Sequence, residues 1–240
     1  TVSPHCYNNK NCPGFLIQEG KSKILLDCGN GITSEMNMEK DLNNLTVIIS
    51  HLHKDHYGDI LSLAYTTYVH HNLGLLDKKV KVFIPKPNLT TIDATYINLY
   101  GDKVTKTTES TINDYNFLTN LGMEQYLEFE TYDEKTILNI DDLKISFARN
   151  PHQVNTYSTK VISQSATIVY SSDTGFKGNI LEEFAKNTDL LICESSLLKE
   201  HGFPEINSHL TAYQAGTIAK EAGIKGLILT HFWPEEPVEK

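Results

Sequence analysis

The sequence predicts an α/β protein in which strands and helices form layers around a shared core. Short apolar runs that are rich in β-branched residues and closed by turn residues are typical of strands. Eight such runs occur, at 14–18, 23–31, 45–50, 80–85, 143–148, 166–173, 189–195 and 226–231. Apolar residues at helical spacing predict helices at 59–72, 179–187 and 211–223. A chain of 240 residues can bury such a layered core.

The order of these elements narrows the architecture. The first part of the chain predicts consecutive strands joined hairpin style, and the rest predicts alternating strands and helices, which excludes a barrel of eight regular units. Residues 86–140 are the least informative, with a helix expected at 112–122. We find no linker or repeat at which to divide the chain, so we expect one domain over residues 1–240.

Apolar positions define one side of each helix. The helix at 211–223 has the clearest stripe, and Gly223 is placed to end it. The expected inward positions of the three helices are Ile60, Leu61, Leu63 and Ala64; Ile180, Leu181, Phe184 and Ala185; and Ala212, Ala215, Ile218, Ala219 and Ala222.

Composition excludes several function classes. The net charge is −9, from 21 Lys and Arg against 30 Asp and Glu, so no chain-wide basic field favours nucleic acid, although Lys103–Lys106 could form a local patch. The four cysteines lack metal-finger spacing, and no signal-peptide pattern is present. No apolar run approaches membrane-span length, because Glu194 interrupts "LLICESSLL". We therefore expect a cytoplasmic protein without a membrane partner.

The densest chemistry lies in "ISHLHKDHYGD" (49–59), directly after a predicted strand. His51, His53, Asp55 and His56 fall within six positions there. Imidazole and carboxylate groups are ligands that divalent metals favour. Two adjacent ions explain four such groups better than one ion does, since so short a segment cannot direct all four side chains at one point. The stretch therefore predicts a metal site.

This stretch resembles the signature of the metallo-β-lactamase superfamily, and the resemblance extends over nearly the whole chain. "ILLDCGNG" is similar to the strand and turn that precede the signature, which implies that Asp27 buttresses the metal loop. "RNPHQV", "IVYSSDTG" and "LILTHF" each place one further candidate ligand after a strand: His152, Asp173 and His231. The resemblance implies a four-layer αββα sandwich with a dinuclear metal site at one edge.

The resemblance also implies a ligand set. One ion is held by His51, His53 and His152, the other by Asp55, His56 and His231, and Asp173 bridges them. The expected ions are zinc, with manganese or iron as alternatives, because ligand type alone does not select among them. Many zinc β-lactamases have a cysteine where this chain has Asp173, so a bridging carboxylate favours hydrolases and phosphodiesterases over antibiotic hydrolysis.

The stretch "HLTAYQAGTIAKEAGIKGLILTHFWP" (209–234) resembles the end of ribonuclease Z and of related small phosphodiesterases. It implies that His209 is catalytic, at the start of a helix capped by Thr211. "DLLICESSL" implies that Glu194 supports that histidine. Taken alone, His209 would fit a surface or capping histidine, and Glu194 a buried strand carboxylate. Asp55 is a further catalytic candidate, as a proton acceptor from the attacking water.

Together these features predict a dinuclear metal-dependent phosphodiesterase that uses a metal-bridging hydroxide. The long Gly/Pro-rich basic arm of ribonuclease Z is absent between His56 and His152, which favours a small phosphodiester, such as a cyclic nucleotide or a short nucleic-acid end. A tRNA 3′-processing endonuclease is the alternative, followed by a thioester or lactone hydrolase and by a non-catalytic metal-bound binding module. RNA stays open as a partner, and so does a homodimer.

The remaining candidate residues carry less weight. Trp233 follows the last predicted ligand and could stack on a base or simply pack. The other histidines that we weighed, His5, His70, His71 and His201, are expected outside the metal site.

Overall fold

In the computed structural model, the described residues are 1–87, 92–97, 103–108, 115–119, 125–197 and 208–233, with 92–97 and 103–108 described by their backbone. The strands are β1 (Phe15–Glu19), β2 (Ser22–Leu26), β3 (Leu45–Ile48), β4 (Val80–Pro85), β5 (Ile92–Ile97), β6 (Lys103–Thr108), β7 (Leu127–Tyr132), β8 (Ile137–Ile140), β9 (Leu143–Arg149), β10 (Tyr157–Ile162), β11 (Thr167–Tyr170), β12 (Leu190–Glu194) and β13 (Gly226–Thr230). The helices are α1 (Ile32–Glu35), α2 (Met38–Asp41), α3 (Lys54–Tyr57), α4 (Ile60–Asn72), α5 (115–119), α6 (Ile180–Ala185) and α7 (Ala212–Glu221).

Two mixed sheets organise these strands. The first has the order β1-β2-β3-β4-β7, with β1 antiparallel to β2 and the other neighbours parallel. The second has the order β13-β12-β11-β10-β9-β8, antiparallel from β8 to β11 and parallel from β11 to β13. Strands β5 and β6 pair antiparallel as a separate hairpin.

The two sheets meet through one apolar cluster. Ile24 and Leu26 of the first sheet and Ile145 and Phe147 of the second belong to it, and all four are buried. Leu25, between Ile24 and Leu26, packs instead into the cluster on the other face of the first sheet. Because successive side chains of a strand alternate faces, β2 is buried along its whole length between two apolar layers.

Helices cover the outer face of each sheet. On the first sheet, Ile60 and Leu63 of α4 pack in one cluster with strand residues such as Val47. On the second sheet, α6 packs over β9 and β10, and α7 packs over β12 and β13. Apolar side chains on this face form another cluster that includes Ile218 and Leu191. Each such side chain contributes about 1.5–3 kcal/mol on full burial. The αββα sandwich expected from the sequence is therefore confirmed.

All eight predicted strands and the three helices predicted from apolar spacing are present, but the predicted layout of the first half was wrong. Among the described strands of the first sheet, only β1 and β2 form a hairpin, since β2, β3, β4 and β7 run parallel. The consecutive antiparallel strands are β8 to β11. Apolar runs of equal length occur in both arrangements, so the sequence could not separate them. The sequence also missed β5, β6, β7, β8 and β10.

Helix boundaries and faces are partly corrected as well. Leu61, Ile180 and Ala212 are exposed, unlike the other predicted inward positions. Leu61 lies outside the buried stripe of α4, which consists of Ile60, Leu63, Ala64 and Thr67 at helical spacing. Thr211 caps α7 in a reciprocal pair with Gln214, and Gly223 adopts a positive φ of 67° after its end. Of the helix expected at 112–122, only 115–119 is described, and it is helical. The one-domain expectation stays a prediction.

Candidate metal centre

The predicted ligands follow strands whose carboxyl ends meet at one edge of the sandwich. Strands β9 and β11 are both antiparallel to β10, so they run in the same direction as β12 and β13. His152, Asp173 and His231 follow β9, β11 and β13 respectively. The facing sheet contributes the loop after β3 and the short helix α3, which carry the remaining four predicted ligands.

The backbone turns sharply where the strands end at this edge. Asp27, Ser172 and His231 have φ values of 61°, 52° and 61° respectively. Positive φ is uncommon outside glycine and clusters at functional sites, where surrounding contacts hold it.

The structure brings four of the predicted ligands into what we call the first cluster: His51, His53, His152 and the Oδ2 atom of Asp173. Nδ1 of His53 lies 3.0 Å from Nε2 of His51 and 3.4 Å from Nε2 of His152. Oδ2 of Asp173 lies 3.6 Å from Nε2 of His51 and 3.9 Å from Nε2 of His152.

The second cluster contains Asp55, His56, His231 and the Oδ1 atom of Asp173. Nε2 of His231 lies 3.2 Å from Nε2 of His56 and 3.1 Å from Oδ1 of Asp173. Oδ2 of Asp55 lies 3.6 Å from Nε2 of His56 and 3.5 Å from Nε2 of His231. Asp173 thus directs one carboxylate oxygen at each cluster.

Both clusters fit divalent ions. Zinc bonds of about 2.0–2.1 Å in tetrahedral geometry place neighbouring ligand atoms about 3.3–3.4 Å apart, and the spacings above run from 3.0 to 3.9 Å. Oδ1 of Asp173 is buried and accepts no hydrogen bond from any described residue. A buried carboxylate oxygen in that state is costly unless a cation compensates it.

Protonation in the first cluster favours metal binding. Burial, together with the neighbouring imidazoles, lowers the pKa of His51 well below its ordinary value and that of His53 to about 4. Burial also lowers the pKa of His152. These rings are therefore neutral at physiological pH, and a neutral imidazole is the form that binds metal.

The second cluster instead attracts positive charge. Burial lowers the pKa of His56, but the carboxylates of Asp173 and Asp27 outweigh it and hold that pKa well above its ordinary value. Burial likewise opposes ionisation of Asp55, yet His231 and His56 lower its pKa. A site that holds a proton so firmly on an imidazole is also one that favours a metal cation.

Asp27 contacts the loop that carries the predicted ligands, which is where the resemblance places its buttress. Its Oδ2 atom lies 2.7 Å from Nδ1 of His56 and accepts hydrogen bonds from the hydroxyls of Tyr170, at 2.7 Å, and Ser50, at 2.9 Å. Its Oδ1 atom accepts from the backbone N–H of Ser50 at 2.6 Å. The hydroxyl of Ser50 lies 3.1 Å from Nδ1 of His51, so Asp27 supports one ligand in each cluster.

Glu194 contacts His209, the contact that the sequence predicted. Oε1 of Glu194 lies 3.0 Å from Nδ1 of His209. Burial lowers the pKa of His209, but the hydrogen bond and charge of Glu194 outweigh it and raise that pKa to about 9. A ring nitrogen of His209 also lies within 4.8 Å of ligand atoms of Asp173 and His231. His209 therefore stands beside the clusters as a charged imidazole.

A cleft of about 440 Å³ opens onto the two clusters. Its lining residues are Ser3, Pro4, Leu52, His53, Lys54, Asp55, Val154, Asp173, His209 and Trp233. Trp233 is 47% exposed, and Ser3 donates a hydrogen bond of 2.5 Å to Oδ2 of Asp55. The cleft therefore joins the predicted catalytic histidine, a bridging carboxylate and an aromatic side chain.

The other candidates lie outside these clusters. His70 and His71 contact backbone carbonyls at the end of α4, and His5 is exposed. All four cysteines are free. His201 and the side chains of Lys103–Lys106 lie outside the described residues. None of the helices that the structure describes is both long and apolar enough to cross a membrane.

Sequence reasoning missed the hydroxyl groups that support the ligands: Ser3, Ser50, Tyr170, Ser172 and Ser196. Serine and tyrosine at strand ends are common, so no spacing rule identifies them. The only signal was their position, since "YSSD" (170–173) and "ESS" (194–196) place them beside predicted site residues.

Two facing sheets with a His- and Asp-rich edge define a metallo-β-lactamase-fold protein of the ribonuclease Z-like branch, a metal-dependent hydrolase. Within that class, a family model described as "Anti-Pycsar protein Apyc1" matches residues 3–215, and the chain belongs to this family.

Curated relatives and solved structures agree with this classification. The chain is 28% identical to the probable metallo-hydrolase YhfI of Bacillus subtilis (strain 168), over 93% of this chain and 80% of that protein. It is 26% identical to a ribonuclease Z of Saccharolobus solfataricus, over 94% and 84%. The crystal structure of Bacillus subtilis YhfI superposes with a TM-score of 0.79 at 26% identity, covering 99% of this chain and 85% of that one. Human tRNase Z, short form, shares the fold with a TM-score of 0.68 at 17% identity, over 97% and 90%.

Proposed function

We propose that this chain is a dinuclear metal-dependent phosphodiesterase that hydrolyses a small phosphodiester, such as a cyclic nucleotide or a short nucleic-acid end. The observation that carries the proposal is the placement of Asp173. Its Oδ2 atom faces His51 and His152 of the first cluster, and its Oδ1 atom faces His56 and His231 of the second. One carboxylate shared between two ligand clusters fits a pair of ions better than a single ion.

Some of these residues would bind the metal ions, and others would transfer protons. His51, His53 and His152 would hold one ion, Asp55, His56 and His231 the other, and Asp173 both. When bound, such ions, with zinc, manganese or iron as candidates, acidify water and neutralise charge on a phosphoryl group. Asp55 lines the cleft and can accept a proton from the attacking water.

His209 supports the choice of a phosphodiester. Cleavage of a phosphodiester expels an alkoxide, which needs a proton, whereas a thioester or lactone has a less demanding leaving group. Glu194 holds Nδ1 of His209, so Nε2 is the nitrogen left to face the cleft and donate. With a pKa raised to about 9, His209 carries that proton at neutral pH.

The cleft favours a small substrate. About 440 Å³ of space is in the range of small-molecule pockets, and the net charge of −9 offers no general attraction for a polyanion. Trp233 offers a face on which a base can stack. The second candidate is tRNA 3′ processing, because relatives with the ribonuclease Z name match 94% of the chain.

A substrate panel joined to a metal assay tests the proposal. We expect about two divalent ions per chain and hydrolysis of bis(p-nitrophenyl) phosphate and cyclic nucleotides, with less turnover of an unprocessed tRNA. Turnover of a thioester or lactone alone would contradict the phosphodiester assignment. Faster cleavage of the tRNA would favour the second candidate, and a metal-loaded protein inert on every ester class would indicate a binding module.

Asp173→Ala provides the matched variant for the same assay. It removes the shared carboxylate, so we expect fewer than two bound ions and loss of phosphodiesterase activity together. Asp189→Ala is the control, because Asp189 pairs at the surface with Lys225 away from the clusters, and it should retain both ions and full activity. An Asp173→Ala protein that kept two ions would contradict the bridging assignment.

A further inference from the structure

We propose that Ser50 and Ser196 are positioning residues. Each serine hydroxyl links a buried carboxylate to one ligand histidine by hydrogen bonds, and we call these two links the relays. Ser50 stands between Asp27 and His51 of the first cluster. Ser196 stands between Glu194 and the second-cluster residue His231. The inference rests on the proposed two-ion function and adds the groups that fix which nitrogen each histidine presents.

The relay at Ser196 follows from its hydrogen bonds. Its Oγ atom lies 2.8 Å from Oε2 of Glu194 and 2.7 Å from Nδ1 of His231. A hydroxyl has one hydrogen to donate, and a carboxylate can only accept. The hydroxyl therefore donates to Glu194 and accepts from Nδ1–H of His231. With its proton on Nδ1, His231 keeps the Nε2 lone pair directed at the second cluster.

The surroundings of Glu194 support its acceptor role. Its oxygens also accept hydrogen bonds from the backbone N–H groups of Thr174, at 2.8 Å, Ser196, at 3.3 Å, and Leu210, at 3.2 Å. A backbone N–H group can only donate a hydrogen bond, and Glu194 is only 1% exposed. The oxygens of Glu194 are therefore fixed as hydrogen-bond acceptors, which is the role that the relay requires.

Ser50 repeats this arrangement on the facing sheet. Its Oγ atom donates to Oδ2 of Asp27 at 2.9 Å and lies 3.1 Å from Nδ1 of His51. The hydroxyl of Ser172 donates to Oγ of Ser50 at 2.6 Å. Because Ser50 gives its one hydroxyl hydrogen to Asp27, its Oγ atom must accept from Nδ1–H of His51. Nε2 of His51 then keeps its lone pair for the first cluster.

The two relays differ from the other imidazole contacts. His56 is held directly by Asp27, and His152 donates to the backbone carbonyl of Ser208 at 2.9 Å. Removal of the Ser196 hydroxyl takes away the acceptor of Nδ1–H of His231, and removal of the Ser50 hydroxyl leaves Nδ1–H of His51 only the longer contact to Oγ of Ser172 at 3.4 Å. Each change favours the tautomer with a protonated Nε2. In that tautomer Nε2 has no lone pair to offer the cluster. Groups that orient ligand histidines in this way change metal affinity by about 10–100-fold.

Zinc titration of the chelator-stripped full chain tests the relays. In Ser196→Ala and in Ser50→Ala we expect one of the two Zn²⁺ binding steps to weaken by about 10–100-fold while the other is retained. Ser196→Thr, which keeps a hydroxyl, should restore wild-type affinity. Ser195→Ala is the matched control, because among the described residues the buried hydroxyl of Ser195 hydrogen-bonds only to the backbone carbonyl of Thr230, at 3.1 Å. Unaltered affinities in both alanine variants, or an equal loss in Ser195→Ala, would overturn the inference.

A spectroscopic readout on the wild-type protein is independent of variant stability. In the zinc-loaded chain we expect protected Nδ1–H resonances from His51 and His231 in ¹H–¹⁵N spectra of the imidazole groups. Ser50→Ala should remove the first alone and Ser196→Ala the second alone. Nε2–H protons on these rings in the wild type would overturn the inference. If the wild-type protein binds two ions and cleaves phosphodiesters but the alanine variants have unchanged zinc affinities, only the relays are contradicted. If the wild-type protein binds one ion, the proposed function is contradicted as well.

Discussion

Asp27 and Glu194 are two buried carboxylates, one from each sheet, that support the same centre in different ways. Asp27 is 0% exposed and Glu194 is 1% exposed. Each contacts one imidazole directly and a second one through a serine. For Asp27 the direct partner is the predicted ligand His56, whose side chain is completely buried. For Glu194 it is His209, whose side chain is 25% exposed and lines the cleft.

Asp27 therefore supports residues that would bind the metal ions, whereas Glu194 also contacts His209, the residue that would transfer a proton. Every hydrogen-bond partner of Asp27 among the described residues is buried, and we call these buried supporting residues the frame of the site. Glu194 joins that frame through Ser196, but its direct histidine reaches the cleft. Loss of Asp27 should therefore damage the fold and the metal site together. Loss of His209 should damage catalysis while the metal site persists, whereas loss of Glu194 should affect catalysis through His209 and the second cluster through Ser196.

The largest expected effect is that of His209→Ala on catalysis. Removal of a general acid lowers kcat by about two to four orders of magnitude, while both metal ions and the fold are retained. The measurement is kcat on a phosphodiester together with metal content. His70→Ala is the control, since His70 bonds the carbonyl of Thr66 in the last turn of α4, away from the clusters. Loss of metal from His209→Ala would instead make His209 a ligand.

Asp27→Ala should give the next largest effect, on stability. It leaves Tyr170, Ser50 and His56 with buried groups that have lost their acceptor, and loss of one partner from such a buried charged network costs about 3–5 kcal/mol. Urea denaturation of the metal-free protein measures this change. Asp77→Ala, at an exposed position, should lie within about 0.5 kcal/mol of wild type. An Asp27→Ala protein of wild-type stability would remove the distinction between the two carboxylates.

The sequence predicted the ligands of this centre better than their supports. All seven metal-ligand candidates meet at one sheet edge because imidazole and carboxylate groups after strands form a recognisable pattern. The serine relays could not be predicted, since a hydroxyl serves equally well in a turn, a cap or a buried network. Their roles depend on which atoms the fold brings within 3 Å, and no one-dimensional spacing encodes that.

The same limit explains the strands that were missed. Strand β10, "YSTKVI", contains Ser158 and Thr159, which are polar yet 0% and 1% exposed. Ser158 is accommodated because it donates to Oδ1 of Asn150 at 2.7 Å. Apolar periodicity assumes that buried positions are apolar. It therefore fails wherever tertiary hydrogen bonds compensate a buried polar group, which is common next to a functional site.

The smallest expected effect comes from Glu194→Gln, and it is a change in pH dependence. Glu194 raises the pKa of His209 from its ordinary value of 6.5 to about 9 in the folded chain. A raised pKa stabilises the fold fully below pH 6.5, and this stabilisation is lost as the pH rises to about 9. Because only one proton titrates, the free energy of unfolding can change by at most about 1.4 kcal/mol per pH unit, and the partial exposure of His209 reduces this slope further.

The glutamine variant should therefore lose stability mainly at low pH. In metal-free protein we expect Glu194→Gln to be less stable than wild type at pH 6, with a difference that narrows towards pH 9. Urea midpoints across this range measure it, and His209→Ala in the same series should remove the pH-dependent part. A difference that stays constant between pH 6 and pH 9 would show that Glu194 acts on His209 through shape alone. Glu194 would then resemble Asp27 as a residue that only supports its neighbours. The two carboxylates would differ only in that His209, the direct partner of Glu194, is partly exposed.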